Sequence, residues 1–405
     1  MMKQFTLLAA LVILAGFGFA QNYSIDLSAD KHAEEVVVND FEQLKMEFSY
    51  DGVHSFNVKT QKGEFTEIAI PNTYSIGELG APKLPATKRL IKVPFGAEAT
   101  AEVVSFDKEV YDLEKHNIKH KIIPMQPSVS KSDDPAAVEF EYDAEAYQKN
   151  AFSSHELATV EILGTMRSVR IGRLVVAPVR YNPVTNQITV YNNIKVKVSF
   201  ENADVAKTEE MESAKASPFF EVAYDKLVNH RSDPDDYPEH PDLTNYPIKY
   251  LVVSDPMFEE TLAPFIEWKT QQGFTMEVAY TDEIGESYDE VQTWVHDQYN
   301  NSDVTPSFLL LVGDIDQIPM EMGSSSGKYT DLYYGSVDGD MFPEMYYGRF
   351  SAQTVDQLQA MVDKTLYYEK TITSYVISFY TYILRPKQPR LLSCSQWSDL
   401  PMPRG

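Results

Sequence analysis

Two hydrophobic periodicities divide the chain. Between residue 21 and about residue 225, short alternating or β-branched runs recur between turn signals, at 65–70, 89–93, 100–106, 160–163 and 168–179, and these predict strands. The clearest unit is 174–200 (LVVAPVRYNPVTNQITVYNNIKVKVSF). Asn182 and Pro183 open a turn that Thr185 and Asn186 close, with alternating strands on both sides. Ile194, Val196 and Val198 then share one face while Lys195, Lys197 and Ser199 share the other. That is the pattern of a half-buried antiparallel strand. A β-rich, sandwich-like or barrel-like domain over 21–225 is the economical way to bury such strands.

After residue 245 the period changes. Residues 250–254 (YLVVS) read as an apolar strand and 259–271 as a helix, with Leu262, Phe265, Ile266 and Trp268 on its apolar face. Pro264 places the first turn of that helix around itself, and Gly273 ends it. Residues 274–280 form the next strand, and 288–299 the next helix, through Val291, Trp294, Val295 and Tyr299. The continuous apolar run 307–312 (SFLLLV) suits a parallel strand covered on both faces, and 354–370 is a third helix. The order β-α-β-α-β predicts a doubly wound α/β domain over 246–370 with right-handed crossovers. Between the two regions, 203–217 is polar, and 230–243 (HRSDPDDYPEHPDL) concentrates proline and aspartate. Such residues neither continue a helix nor bury a strand, so 226–245 reads as a solvated acidic linker.

The N-terminus adds an export signal. Lys3 precedes a largely apolar run of fifteen residues, 5–19, and the small residues Gly18 and Ala20 place cleavage between Ala20 and Gln21. The run is short for a bilayer span, and no later segment reaches eighteen apolar residues, so no stable membrane span is expected. The net charge of −25 argues against nucleic acid, whose phosphates require clustered Lys and Arg. One cysteine, Cys394, rules out an internal disulfide framework in an exported protein. Composition also switches at the other end. Residues 371–405 contain one of the 60 acidic residues, Asp399, against four basic ones, and show no clear period. That pattern points to an aberrant, out-of-frame or misassembled tail rather than to a short strand with a basic extension. A sheet stopping there would leave an open apolar edge and a tendency to aggregate.

Candidate chemistry is sparse. Asp338, Asp340 and Glu344, around Gly339 in VDGDMFPE (337–344), can converge with backbone carbonyls on a hard cation, although the twelve-residue EF-hand spacing is absent. A solvated acidic turn is the alternative. Asp314 and Asp316 end the LLLV strand, where open α/β sheets place functional groups, but capping of the following turn is the favoured account of them. Asp331 is similarly ambiguous. His296, the last of eight histidines, lies on the 288–299 helix and reads as a surface or groove residue rather than a base.

Three stretches carry a resemblance. GAPKLPATKRLIKV (80–93), with the 174–200 hairpin behind it, resembles the propeptide of the gingipain family of secreted cysteine peptidases. FIEWKTQQG (265–273) is similar to the start of the gingipain catalytic domain. LLLVGDIDQIP (309–319), followed by KYTDLYYGSVDGDMFPEMYYGRF (328–350) and a helix ending TLYYEK, is the most specific match. The resemblance covers about 25–370 and implies a zymogen: a signal peptide, a β-rich propeptide and the N-terminal part of a caspase-like α/β catalytic domain. It implies hydrolysis of protein or peptide substrates, often after Arg or Lys, by a Cys nucleophile with a His base. In the family both follow the TLYYEK helix, the His in a Gly-His-Gly turn. Here no His follows His296 and Cys394 has no such turn before it, so no catalytic residue is assigned and the chain is expected to be inactive. The family's calcium loop aligns with Val337 and Phe342 as carbonyl ligands and Asp340 and Glu344 as carboxylate ligands. Its propeptide junction is cut after a basic residue, which points to Arg231, with Lys226 second. The expected product is a secreted or surface protein that crosses the periplasm. A secreted binding or inhibitory protein acting on an intact peptidase is the competing reading.

Overall fold

Alternation becomes antiparallel sheet in the first part of the chain. The computed structural model describes residues 22–27, 31–129, 131, 134, 138–230, 247–324 and 327–384. They fall into two compact units, those up to Tyr237 together with Asp340–Phe342, and those from Pro238 on.

The first unit contains β1 (Asn22–Asp26), β2 (Ala33–Asn39), β3 (Gln43–Ser49), β4 (Gly52–Thr60), β5 (Gly63–Ala69), β6 (Tyr74–Ile76), β7 (Leu84–Val93) and β8 (Glu98–Asp112). After α1 (Ala144–Gln148) come β9 (Ala158–Met166), β10 (Val169–Val176), β11 (Val179–Asn182) and β12 (Gln187–Glu201), then α2 (Val205–Ala214) and α3 (Glu221–Tyr224). Three sheets result, in the orders β1-β4-β5, β6-β7-β10-β9 and β11-β12-β3-β2, with β8 also paired to β12. Leu44, Met46 and Phe48 of β3 and Ile194, Val196 and Val198 of β12 share one apolar core with Ile91 of β7 and Leu174 of β10. That shared core is what makes the unit sandwich-like. The 174–200 hairpin forms as its turn chemistry dictates: the Asn182 side chain accepts from the Val184 N–H at 3.1 Å, and Asn186 adopts a left-handed φ of 50°. At Asn192 the pairing of β12 slips. There the Asn192 amide pairs with the backbone of Tyr50, accepting from its N–H at 2.8 Å and donating to its C=O at 2.9 Å. An irregularity in the ladder is thereby satisfied by a side chain.

Two stretches differ from the sequence expectation. The polar stretch 203–217, assigned no structure, contains α2, whose N-terminus Asp204 caps by accepting from the Lys207 N–H at 2.9 Å. Residues 226–230, expected in the acidic linker, belong to the first unit. Leu227 is apolar and 3% exposed, and Asn229 is 6% exposed; together they give this segment something to bury. The remainder of the linker, 231–245, lies outside the described residues, as do Ala20, Gln21, Arg231 and Cys394.

The second unit follows the βαβ reading closely. Strand β13 (Ile248–Ser254) is followed by α4 (Glu259–Gln271), β14 (Phe274–Tyr280), α5 (Thr281–Ile284), α6 (Tyr288–Asn301) and β15 (Pro306–Val312). Then come the short β16 (Glu321–Met322) and β17 (Tyr329–Thr330), α7 (Leu332–Gly335), β18 (Tyr346–Phe350) and α8 (Val355–Leu384). Four strands form a wholly parallel sheet ordered β14-β13-β15-β18. Alternate residues serve its two faces. Leu251, Val253, Leu309 and Leu311 pack with Val291, Val295 and Tyr299 of α6. Val252, Leu310 and Val312 pack with Leu262 and Phe265 of α4 and Leu358 and Val362 of α8. This double covering explains why the inner strands β13 and β15 read as apolar runs.

Two helical expectations are corrected. Pro264 lies inside α4 as its sixth residue, not in the first turn. Its missing N–H leaves one intrahelical bond unmade, while the buried Leu262 and Phe265 hold the helix on the sheet. The last helix does not stop at Lys370 but runs to Leu384. Residues 371–384 contain neither Gly nor Pro, so nothing in them terminates a helix, and the first proline is Pro386. Among the described residues no helix is long and apolar enough to cross a membrane.

Candidate functional site

The carboxyl ends of β15 and β18, where parallel sheets place their sites, hold Asp314 and, through Arg349, Asp331. Gly313 ends β15 with a φ of 139°, and a Cβ there would meet Gln317 Cβ at 2.5 Å, so glycine is required for the turn. Asp314 follows. Its carboxylate accepts from Ser351 Oγ at 2.8 Å and Gln353 Nε2 at 2.7 Å, and these two donors hold its carboxyl below the usual carboxylate range. Asp314 thus ties β15 to the segment after β18. Asp316 is exposed.

Arg349, in the Gly-Arg-Phe run, was given no role in the sequence, yet it organises this end of the sheet. It donates to both carboxylate oxygens of Asp331, at 2.9 and 2.7 Å, and to the carbonyls of Gly313 at 2.9 Å and Ile318 at 3.0 Å. The pair is well enclosed, with side chains 6% and 15% exposed. Asp331, ambiguous in the sequence, is therefore the bidentate partner of a buried guanidinium. No local pattern could have signalled a contact between a strand end and a loop eighteen residues earlier.

His296 faces inward on α6. Its Nε2 lies 3.1 Å from the Tyr333 carbonyl, and burial holds its pKa below the ordinary imidazole value. The same carbonyl accepts from Gln292 Nε2 at 2.8 Å. Both side chains anchor α7 to α6, so of the surface or groove positions expected for His296 the structure gives a half-buried one with a packing contact.

The acidic loop 336–344 closes on itself. Gly339 takes a φ of 78°, which turns the chain back. The Glu344 N–H donates to the Gly335 carbonyl at 2.8 Å, the Val337 N–H donates to the Glu344 carboxylate, and the Phe342 N–H donates to Asp340 Oδ1 at 2.6 Å. Glu344 is 3% exposed. Asp338, Asp340 and Glu344 bring one carboxylate oxygen each to within 4.8 Å of one another. Three like charges at that separation repel by about 1 kcal/mol per pair even in water. The donor set is all oxygen and strongly anionic, which suits a hard cation such as calcium. Of the residues aligned with the calcium loop, Asp340 and Glu344 are brought together as carboxylates, joined by Asp338, while Val337 and Phe342 flank them.

Comparison with known proteins places both units. The family model described as the C25 propeptide matches residues 34–233, and that of peptidase family C25 matches residues 243–380. Lys-gingipain HG66 of Porphyromonas gingivalis is 43% identical over 374 residues, which make up 91% of this chain and 21% of that protein. Gingipain R1 of the same organism is 27% identical over 365 residues, 89% of this chain and 35% of that protein. The chain thus spans about a fifth of the length of the Lys-gingipains it matches. A solved structure described as giving insight into the zymogenic latency of gingipain K of Porphyromonas gingivalis aligns at 43% identity with a TM-score of 0.43, over 45% of this chain and 100% of that one. With a propeptide match on the β-rich unit and a peptidase match on the parallel sheet, the chain belongs to the gingipain family, peptidase family C25.

Proposed function

We propose that this chain is a latent, exported precursor segment of a gingipain-type cysteine peptidase, inactive over its 405 residues. The carrying observation is that the two units coincide with the propeptide and peptidase matches, each built on its own apolar core. Protein or peptide chains are the substrate class, with cleavage after Lys or Arg. A thiol attacks only as thiolate and needs a base beside it. The sequence has no histidine after His296, which is committed to the Tyr333 carbonyl. The test is to express the full chain and assay Lys- and Arg-containing peptides under reducing conditions with calcium. No turnover is expected; thiol-dependent cleavage abolished by Cys394→Ala would overturn the reading.

Export is by the N-terminal signal, cleaved between Ala20 and Gln21, and N-terminal sequencing of the secreted protein checks it. Activation cleavage is after Arg231. Calcium is held by Asp340 and Glu344 with the carbonyls of Val337 and Phe342, and Asp338 adds charge. When bound, calcium neutralises the carboxylates and stiffens the loop ahead of β18. A second reading, of the β-rich unit as an inhibitor of an intact relative, draws support from its self-contained core. Absence of saturable inhibition of an active gingipain would remove it.

A further inference from the structure

Resting on the activation-cleavage reading above, we propose that residues 227–230 form a docking seat on β7 that closes the bond between Lys226 and Leu227 to processing. Lys226 presents an exposed side chain, as a Lys-recognising peptidase requires. Its backbone is another matter. The Lys226 N–H donates to the Ala223 carbonyl at 3.2 Å and the Leu227 N–H to the Tyr224 carbonyl at 2.8 Å, so the bond lies in consecutive tight turns. Peptidases take their substrates as extended strands, and a bond inside a turn must first open.

The next four residues oppose that opening. Leu227 bridges to Leu90 of β7 and packs with Val169, Ile171, Phe220 and Tyr224. The Val228 N–H donates to the Leu90 carbonyl at 3.0 Å. Two residues along β7, Lys92 offers its backbone on the same edge, since alternate residues point alike. Strand β6 pairs only with residues 84–86 of β7 and does not reach this part of the edge. Here the Asn229 side chain substitutes for a strand. It accepts from the Lys92 N–H at 2.7 Å and donates to the Lys92 C=O at 2.9 Å, while the Asn229 carbonyl accepts from Asn39 Nδ2 at 2.8 Å. His230 closes the seat, with Nε2 2.9 Å from Glu221 Oε2 and its ring edge-on to Tyr224 at 5.4 Å. An amide that mimics a backbone is a specific device, because only the carboxamides of Asn and Gln offer a donor and an acceptor on one planar group. Its consequence is a processing limit: an exposed lysine is withheld, and after cleavage further on the seat stays with the β-rich unit.

The experiment is limited trypsin digestion of the full chain, with fragments ending at Lys226 and at Arg231 counted by mass spectrometry over time. A synthetic peptide of residues 221–236 supplies the unstructured reference rate. Cleavage after Lys226 is expected to be slower in the protein by about a hundredfold or more, since the rate follows the population of the open form. Asn229→Ala is expected to remove about tenfold of that protection and to speed hydrogen exchange of the Lys92 amide. His230→Ala, which leaves the Asn229 contacts in place, gives a smaller effect and serves should Asn229→Ala fail to fold. Cleavage after Lys226 at the peptide's rate in the unaltered protein overturns the proposal, as does a Lys92 amide that exchanges equally fast in both proteins. Absence of cleavage after Arg231 overturns the activation reading and leaves the Lys226 comparison intact.

Discussion

Replacing Arg349 with methionine keeps much of the stem and deletes the charge. Asp331 would then lie at 15% exposure with neither of its two charged donors, and the Gly313 and Ile318 carbonyls would each lose one. Removing one partner of a buried ion pair costs about 3–5 kcal/mol, because the remaining charge is uncompensated. The two orphaned carbonyls, at about 1 kcal/mol each, place the expectation at the upper end. Against a domain stability of roughly 5–15 kcal/mol this removes a large part of the total. Arg349→Met combined with Asp331→Leu is expected to recover most of the loss, since the cost resides in the stranded carboxylate rather than in the missing pair. Urea unfolding followed by tryptophan fluorescence isolates the effect. The three tryptophans are Trp268, Trp294 and Trp397, and none lies in the β-rich part of the chain. A single variant that loses less than about 1 kcal/mol, or a double variant as unstable as the single, would refute the reasoning.

Acid should weaken both units. Burial holds His155 and His296 below the ordinary imidazole range, so the folded chain resists their protonation while the unfolded chain takes up protons below about pH 6.5. Stability is fully present above that pH and is lost as pH falls toward the folded-state values; His296→Gln should flatten the urea midpoint of the second unit over this window. Leu311→Ala, at a fully buried position of the central parallel strand, should cost about 2–5 kcal/mol by the same fluorescence assay. Calcium at a hundredfold excess over its dissociation constant should stabilise the second unit by about 2.7 kcal/mol, and Glu344→Gln should abolish most of that thermal shift; an equal shift in both proteins would exclude the acidic loop as the site.

The two inner strands of the parallel sheet, β13 and β15, were legible because each is buried on both faces and so carries its apolar signal without help from its neighbours, whereas the exposed edge strand β18 was not read as a strand. Residues 259–271 and 274–280 were legible to the residue, since Gly273 separates them with a φ of 94° that few other residues adopt. The sandwich was legible only in class. Among its first strands β2, AEEVVVN, has no clean alternation, while the alternation of β3, QLKMEFS, escaped notice. The polar α2 escaped notice because its helical character rests on the Asp204 cap rather than on an apolar stripe. At the candidate site, the acidic loop could be found because its three carboxylates are close in sequence. Arg349 and Asn229 could not, because each satisfies backbone groups from elements that only the fold brings near.

One row of aromatic rings bears on the order in which the chain assembles. Tyr250 stacks on Phe308 at 5.3 Å and Phe308 on Tyr346 at 5.9 Å, one ring from each of β13, β15 and β18. Parallel strands have no tight turn to align them, so this interlock has to set their register after chain closure over tens of residues. The β-rich unit holds local pairs, β4 with β5, β9 with β10 and β11 with β12, that form from neighbours. During synthesis the earlier unit therefore has a head start and local hairpins to build from, although its pairings of β3 with β12 and of β7 with β10 close long loops. If the three rings set the register of the parallel strands, Phe308→Leu should slow the folding of the second unit more than that of the first.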